Sequence, residues 1–123
     1  MKYLVTGGAG FIGSHLVENL LQKNSKVTVI DNLSTGRNSN LGHLKGDLNV
    51  INVDLSEDIN WDRIVAEHDI IFHLAARADV VPSIEMPELY FKSNVIGTYN
   101  LIESIRRIGK LKKLVYSASS SCY

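Results

Sequence analysis

A single cysteine, Cys122, stands in 123 residues. An internal disulfide is excluded, and with it the small secreted folds that cross-links hold together in place of a core. No histidine or second cysteine lies near Cys122 in sequence, so it reads as a strand-end packing residue and not as a reactive thiol. Net charge is also missing: thirteen basic residues balance thirteen acidic ones, with no run of one sign. The chain therefore carries no electrostatic footprint for nucleic acid or for an anionic membrane, and a small-molecule ligand is expected. Long apolar runs are absent, since residues 70–74 and 27–30 are far too short to span a bilayer. With no signal-like segment before the first strand, a cytoplasmic location is expected. His15, His43 and His68 have no cysteine or carboxylate at ligand spacing, so no metal site is expected. Repeats and low-complexity tracts are lacking as well. The length suits one domain with one core.

What the sequence does have is an apolar run, Lys2-Tyr3-Leu4-Val5-Thr6, that breaks into Gly7-Gly8-Ala9-Gly10-Phe11-Ile12-Gly13 and resumes with helical spacing. This reads as strand, tight turn, helix. From Gly8 it fits G-x-G-x-x-G, and from Gly7 the wider G-x-x-G-x-x-G. One glycine would supply a positive φ, Gly10 would let a diphosphate approach the backbone, and Gly13 would let the helix pack close to the strand. The N–H groups at the start of the helix then face an anion without needing a lysine. Asp31 follows at the distance expected of an acid that receives an adenosine ribose, which makes a dinucleotide the expected ligand.

Along the chain, apolar residues at 12, 16, 20 and at 17, 21 predict a helix over 11–22 buried along one face. Residues 26–30 are β-branched and short, the composition of a strand covered on both faces, with Asp31 at its carboxyl end. Residues 32–46 are polar and without period, a loop of functional length. Residues 49–53 predict a third strand, 62–67 a turn or two of helix, and 69–74 a fourth strand running into Ala75-Ala76. A loop containing Pro82 and Pro87 precedes a long helix over 88–109, with Phe91, Val95, Tyr99, Ile102 and Ile105 along one side and Gly109 as its stop. Residues 114–116 form the last strand, opening into Ser117-Ala118-Ser119-Ser120-Ser121. Strands alternating with helices predict an α/β fold with a doubly wound parallel sheet of the Rossmann type, in order 3-2-1-4-5.

Several residues could carry chemistry at the carboxyl ends of those strands. Asp31 could accept from both ribose hydroxyls, and its charge would oppose a 2′-phosphate, selecting NAD over NADP. Arg37 is the nearby cation that would favour the other choice. Asp54, after the third strand, could take an adenine amino group or could cap a helix. Ala75 and Ala76 are small where backbone would lie against the cofactor. Asn94, polar among apolar neighbours, needs a buried partner. His73 reads as a core histidine. The serine cluster, from Ser117 beside the cofactor to Ser119, offers hydroxyls to a substrate.

Taken together, Thr6-Gly7-Gly8-Ala9-Gly10-Phe11-Ile12-Gly13-Ser14, Asp31-Asn32-Leu33-Ser34-Thr35-Gly36, His73-Leu74-Ala75-Ala76, Asn94-Val95-Ile96-Gly97-Thr98 and the serine run through Tyr123 resemble the extended short-chain dehydrogenase/reductases that modify nucleotide sugars. Within them the sequence is most similar to the UDP-glucose and UDP-N-acetylglucosamine 4-epimerases. The resemblance implies an NAD contacted by Phe11, Ile12, the loop from Asp31 through Asn32, Ser34 and Thr35 to Gly36, Asp54, Leu55, Leu74, Ala75, Ala76 and Asn94. It implies that Ser119 binds the reacting O4 of a UDP-sugar, and that residues 88–109 pair with a second copy in a homodimer. The related dehydratases carry Thr-Asp-Glu-Val-Tyr where this chain has Ser119-Ser120-Ser121-Cys122-Tyr123. Serines at 120 and 121 offer no group suited to acid–base elimination near neutral pH, so epimerisation is the chemistry the resemblance implies.

The departure is the catalytic Tyr-x-x-x-Lys pair. Tyr3, Tyr90, Tyr99 and Tyr116 are followed four places on by Gly7, Asn94, Glu103 and Ser120, and Tyr123 matches a structural tyrosine of the family. Residues 1–123 are therefore expected to be the NAD-binding Rossmann portion of such an enzyme, inactive alone. The alternative is a non-catalytic module of the same fold, either a sensor of NAD(H) or a half-protein that pairs with another chain.

Overall fold

The structure, a computed structural model, describes residues 1–120. The expected roles of Cys122 and Tyr123 fall outside them. Among the described residues five parallel strands form one sheet, β1 (Lys2–Thr6), β2 (Lys26–Asp31), β3 (Leu48–Asn52), β4 (Ile70–His73) and β5 (Lys113–Tyr116), in the order β3-β2-β1-β4-β5. That is the expected 3-2-1-4-5. Parallel neighbours require crossovers, and the direction of winding reverses between β1 and β4.

The strand period of two divides the core between the faces. Val5, Val27 and Val29 point to one side and pack with Val17, Leu20 and Leu21 of α1 (Phe11–Gln22) and with Leu41. Leu4, Ile30 and Ile71 point to the other, against Trp61 and Val65 of α2 (Trp61–Ala66) and Leu101 of α5 (Gly97–Ile108). Neighbouring residues of one strand thus serve opposite layers, which is what a sheet covered on both faces needs. Leu4, Val5, Val29, Ile71 and Leu101 are fully buried, so truncating any of them to alanine or glycine leaves a cavity.

Residues 80–87 depart from expectation. The expected loop is mostly helical: α3 (Val80–Glu85) contains Pro82 in its first turn, where a missing N–H costs nothing, and α4 (Pro87–Tyr90) starts on Pro87. Proline, read as a loop signal, marks two helix starts here. α4 then runs without a break through a wider π-helical turn, Phe91–Ile96, into α5, which Gly109 ends at φ +64° with its N–H on the Ile105 carbonyl, 2.9 Å. Only Leu101, Ser104 and Gly97 of α5 are buried, while Phe91, Val95, Tyr99 and Ile102 stand exposed along the opposite side.

Candidate functional site

A cleft opens at the carboxyl ends of the first four strands. It is lined by Gly7, Gly10, Asp31, Asn32, Ser34, Thr35, Gly36, Asp54, Leu55, Leu74, Ala75 and Ala76, all expected from sequence, and by Ile30, Val53 and Ser93, which were not. Ligands of open α/β sheets bind where the winding reverses, and here that place is the gap between β1 and β4.

The glycine turn is built by three separate constraints. Gly7 adopts φ +72°, its N–H reaches the Ile30 carbonyl at 2.8 Å, and a Cβ there would meet the Ala75 nitrogen at 2.8 Å. A Cβ on Gly13 would lie 2.2 Å from the Gly7 carbonyl oxygen, so α1 can sit this close only with glycine. Gly10 differs, because a Cβ there would approach protein only at 3.4 Å, in ordinary contact with Gly7. Its open side belongs to the cleft, which it lines. Gly10 is also the N-cap of α1, without a side-chain cap or an acid in the first turn, and the first helical bond runs from Ser14 N–H to its carbonyl at 2.9 Å. The positive end of α1 therefore has no acid in its first turn to offset it.

Asp31 is nearly buried, and each carboxylate oxygen accepts one backbone hydrogen bond, Oδ2 from Ala9 at 2.9 Å and Oδ1 from Leu33 at 2.8 Å. Each oxygen keeps a second lone pair. The Ala9 carbonyl in turn accepts from the Arg37 N–H at 3.1 Å and the Asn40 side chain at 2.8 Å. The loop after β2 is thereby fastened to the glycine turn, and its length is explained by that span. Asn32 donates to Asp54 Oδ2 at 2.9 Å and accepts from the Ser34 N–H at 3.0 Å. Asp54 Oδ1 takes both the N–H and hydroxyl of Ser56, at 2.8 and 2.7 Å. Burial raises the Asp54 pKa, but the Ser56 and Asn32 hydrogen bonds and the charge of Arg77 outweigh it, holding the carboxyl below its ordinary value. Asp54 thus organises its own turn and still lines the cleft.

Asn94 does have the partner its setting demanded: it accepts from the Arg77 N–H at 2.8 Å and donates to the Arg77 carbonyl at 2.9 Å. It lies behind the cleft wall and the adjacent Ser93 lines it. Phe11 and Ile12 are 80% and 70% exposed beside the turn. Neither they nor Gly13, Ser117 or Ser119 line the cleft. The Ser117 N–H bonds to the His73 carbonyl at 3.2 Å. His73 is buried, its Nδ1 2.7 Å from Thr6 Oγ1 and its Nε2 2.8 Å from Thr98 Oγ1, with its ring stacked on Tyr116. Burial lowers its pKa to about 4. Among the described residues no three His, Cys, Asp or Glu side chains converge as a metal site, and no helix is long and apolar enough to cross a membrane.

The protein-family description GDP-mannose 4,6 dehydratase matches residues 4–123. The chain is 35% identical over 122 residues to a UDP-N-acetyl-alpha-D-glucosaminuronate decarboxylase of Bacillus cytotoxicus, covering 99% of this chain and 37% of that protein. Among solved structures it is similar to the UDP-glucose 4-epimerase of Thermus thermophilus in complex with NAD, at 42% identity and a TM-score of 0.77, covering 89% of this chain and 35% of that one. It is also similar to the UDP-N-acetylglucosamine 4-epimerase of Methanobrevibacter ruminantium, at 38% identity and a TM-score of 0.88, covering 99% and 39%. The chain thus spans little more than a third of the length of each relative.

Proposed function

The chain belongs to the family described as GDP-mannose 4,6 dehydratase, among the extended short-chain dehydrogenase/reductases, and on that premise we propose that it is the cofactor-binding part of an NAD-dependent enzyme that epimerises a nucleotide sugar at C4 through a keto-sugar. The observation that carries this reading is the cleft at the β1–β4 gap, with the acid-free end of α1 at one wall and the spare lone pairs of Asp31 at another. A dinucleotide fits those features in a definite sense. Its diphosphate would lie against Gly7 and Gly10, where no Cβ intrudes, and the Phe11 and Ile12 N–H groups at the helix start would donate to it. Asp31 would accept from the adenosine ribose. Asp54 and Leu55, with Asn32, Ser34, Thr35 and Gly36, would enclose the adenine end. Leu74, Ala75 and Ala76 would pass along the other side, Asn94 supporting them through the Arg77 backbone, with Ser117 beyond.

NAD, when bound, supplies the hydride acceptor that no amino-acid side chain provides. Within this chain Ser119 would bind the O4 hydroxyl of a UDP-sugar. The tyrosine–lysine pair that moves the O4 proton is not among residues 1–123, so the chain alone is expected to show no turnover. Serine at 120 and 121 supplies no side chain suited to acid–base elimination, which favours return of the hydride over elimination or loss of carbon dioxide. The exposed line of Phe91, Val95, Tyr99 and Ile102 supports a homodimer through residues 88–109, and the lone cysteine goes with a cytoplasmic location. The test uses the full-length protein with UDP-glucose and UDP-N-acetylglucosamine. Stereochemical exchange at C4 is expected; a 4-keto-6-deoxy sugar or a decarboxylated product as the main outcome would contradict it.

A further inference from the structure

Thr6 and His73 face each other in register across β1 and β4, and both are buried beneath the cleft. Thr6 Oγ1 lies 3.2 Å from the Leu74 nitrogen, 3.2 Å from the Ala75 nitrogen and 2.7 Å from His73 Nδ1. Two of those three partners are backbone N–H groups, which can only donate. A hydroxyl has two lone pairs and one proton. The Leu74 N–H is shared with the Thr6 carbonyl, 3.1 Å away, and with both amides facing Oγ1 the hydroxyl proton goes to His73 Nδ1, the partner able to accept it. The ring proton then sits on Nε2 and is donated to Thr98 Oγ1 on α5, 2.8 Å away. The opposite tautomer would leave the proton of the buried Thr6 hydroxyl without an acceptor among these partners.

We propose that His73 is a positioning residue of the cleft: fixed as the Nε2–H tautomer between Thr6 and Thr98, it directs the Thr6 hydroxyl so that Leu74 and Ala75, one wall of the ligand site, are held by their amides. The same ring joins that wall to the helix that follows Ser93, so the two sides of the β4–α5 gap share one strut. Removing the Thr98 hydroxyl leaves Nε2–H without an acceptor and favours the other tautomer. Nδ1–H then donates to Thr6 Oγ1 in competition with the two amides; the Leu74 N–H keeps the Thr6 carbonyl, so the Ala75 N–H is the one that loosens.

Only the choice of ligand in the test rests on the dinucleotide reading. Nitrogen-15 spectra of the chain should show His73 as the Nε2–H tautomer. In Thr98→Val the Ala75 amide should exchange faster with solvent and NAD should bind roughly fivefold more weakly, the loss of about one hydrogen bond. Thr98→Ser should restore both. An Nδ1–H tautomer in the parent chain, or Thr98→Val with unchanged exchange at the Ala75 amide, would overturn the proposal. A chain with the expected tautomer and amide behaviour but no affinity for NAD would support the strut and overturn the dinucleotide reading.

Discussion

Asp31 Oδ2 accepts a hydrogen bond from the Ala9 N–H at 2.9 Å, so the acid at the end of β2 is bonded to the glycine turn at the end of β1. Ala9 is fully buried, and its N–H loses this acceptor when that carboxylate is removed. Asp31→Ala should therefore destabilise the chain by about 1–3 kcal/mol, the cost of leaving a buried donor unpaired. Urea denaturation measures it; a change within error would show that Ala9 finds another partner.

Much of this was legible in the sequence because the signals are local. The turn from Gly7 to Gly13, the acids Asp31 and Asp54 at two strand ends, and the small pair Ala75-Ala76 sit where short runs of β-branched and apolar residues end, and each lies where it was placed. What sequence could not give depends on phase and reach. The π-helical turn over Phe91–Ile96 shifts the helical register, so no 3.6-residue period could show that Ser93 faces the cleft while Asn94 clamps Arg77. Asn40 reaches Ala9 across a polar loop that has no period to read. Ile30 and Val53 adjoin the two acids, and strand alternation alone does not say that both neighbours at a strand end reach a ligand.

Gly10 and Gly13 separate folding from binding. Gly13→Ala places a methyl group 2.2 Å from the Gly7 carbonyl oxygen, and it should cost about 1–3 kcal/mol or more of stability through forced backbone movement. Gly10→Ala has room, at φ −77° and ψ 179°, and should leave the melting temperature nearly unchanged while abolishing measurable dinucleotide binding. A folded Gly10→Ala chain with full affinity would remove Gly10 from the site.

His73 makes stability depend on pH in a defined window. Its pKa falls from 6.5 to about 4 on folding because burial disfavours the charged ring. Between those values the unfolded chain holds a proton that the folded chain does not, so stability decreases as pH falls from 6.5 toward 4 and is unaffected by this group above 6.5. The full effect is about 3 kcal/mol. Urea denaturation at pH 7, 5.5 and 4.5 (roughly the ends and middle of the titration) should show this slope in the parent chain and a flatter one in His73→Asn. Equal slopes would mean that another group carries the dependence.

Phe91, Val95, Tyr99 and Ile102 are 46–60% exposed on one side of a continuous helical rod. Light scattering should find the chain at twice its monomer mass, with Tyr99→Asp shifting it to monomer. A monomer at every concentration would contradict pairing through this face.

The central claim is that the cleft holds NAD with Asp31 at its ribose. A 2′-phosphate brought to about 4 Å from Asp31 meets a repulsion of roughly 4 kcal/mol at an effective dielectric near 20, and solvent screening of that value still leaves a large preference. Calorimetric titration of the chain with NAD and with NADP tests the claim most directly. NAD should bind at least about tenfold more tightly, and Asp31→Asn should narrow the gap. Equal affinity for the two dinucleotides, or no affinity for either, would contradict it.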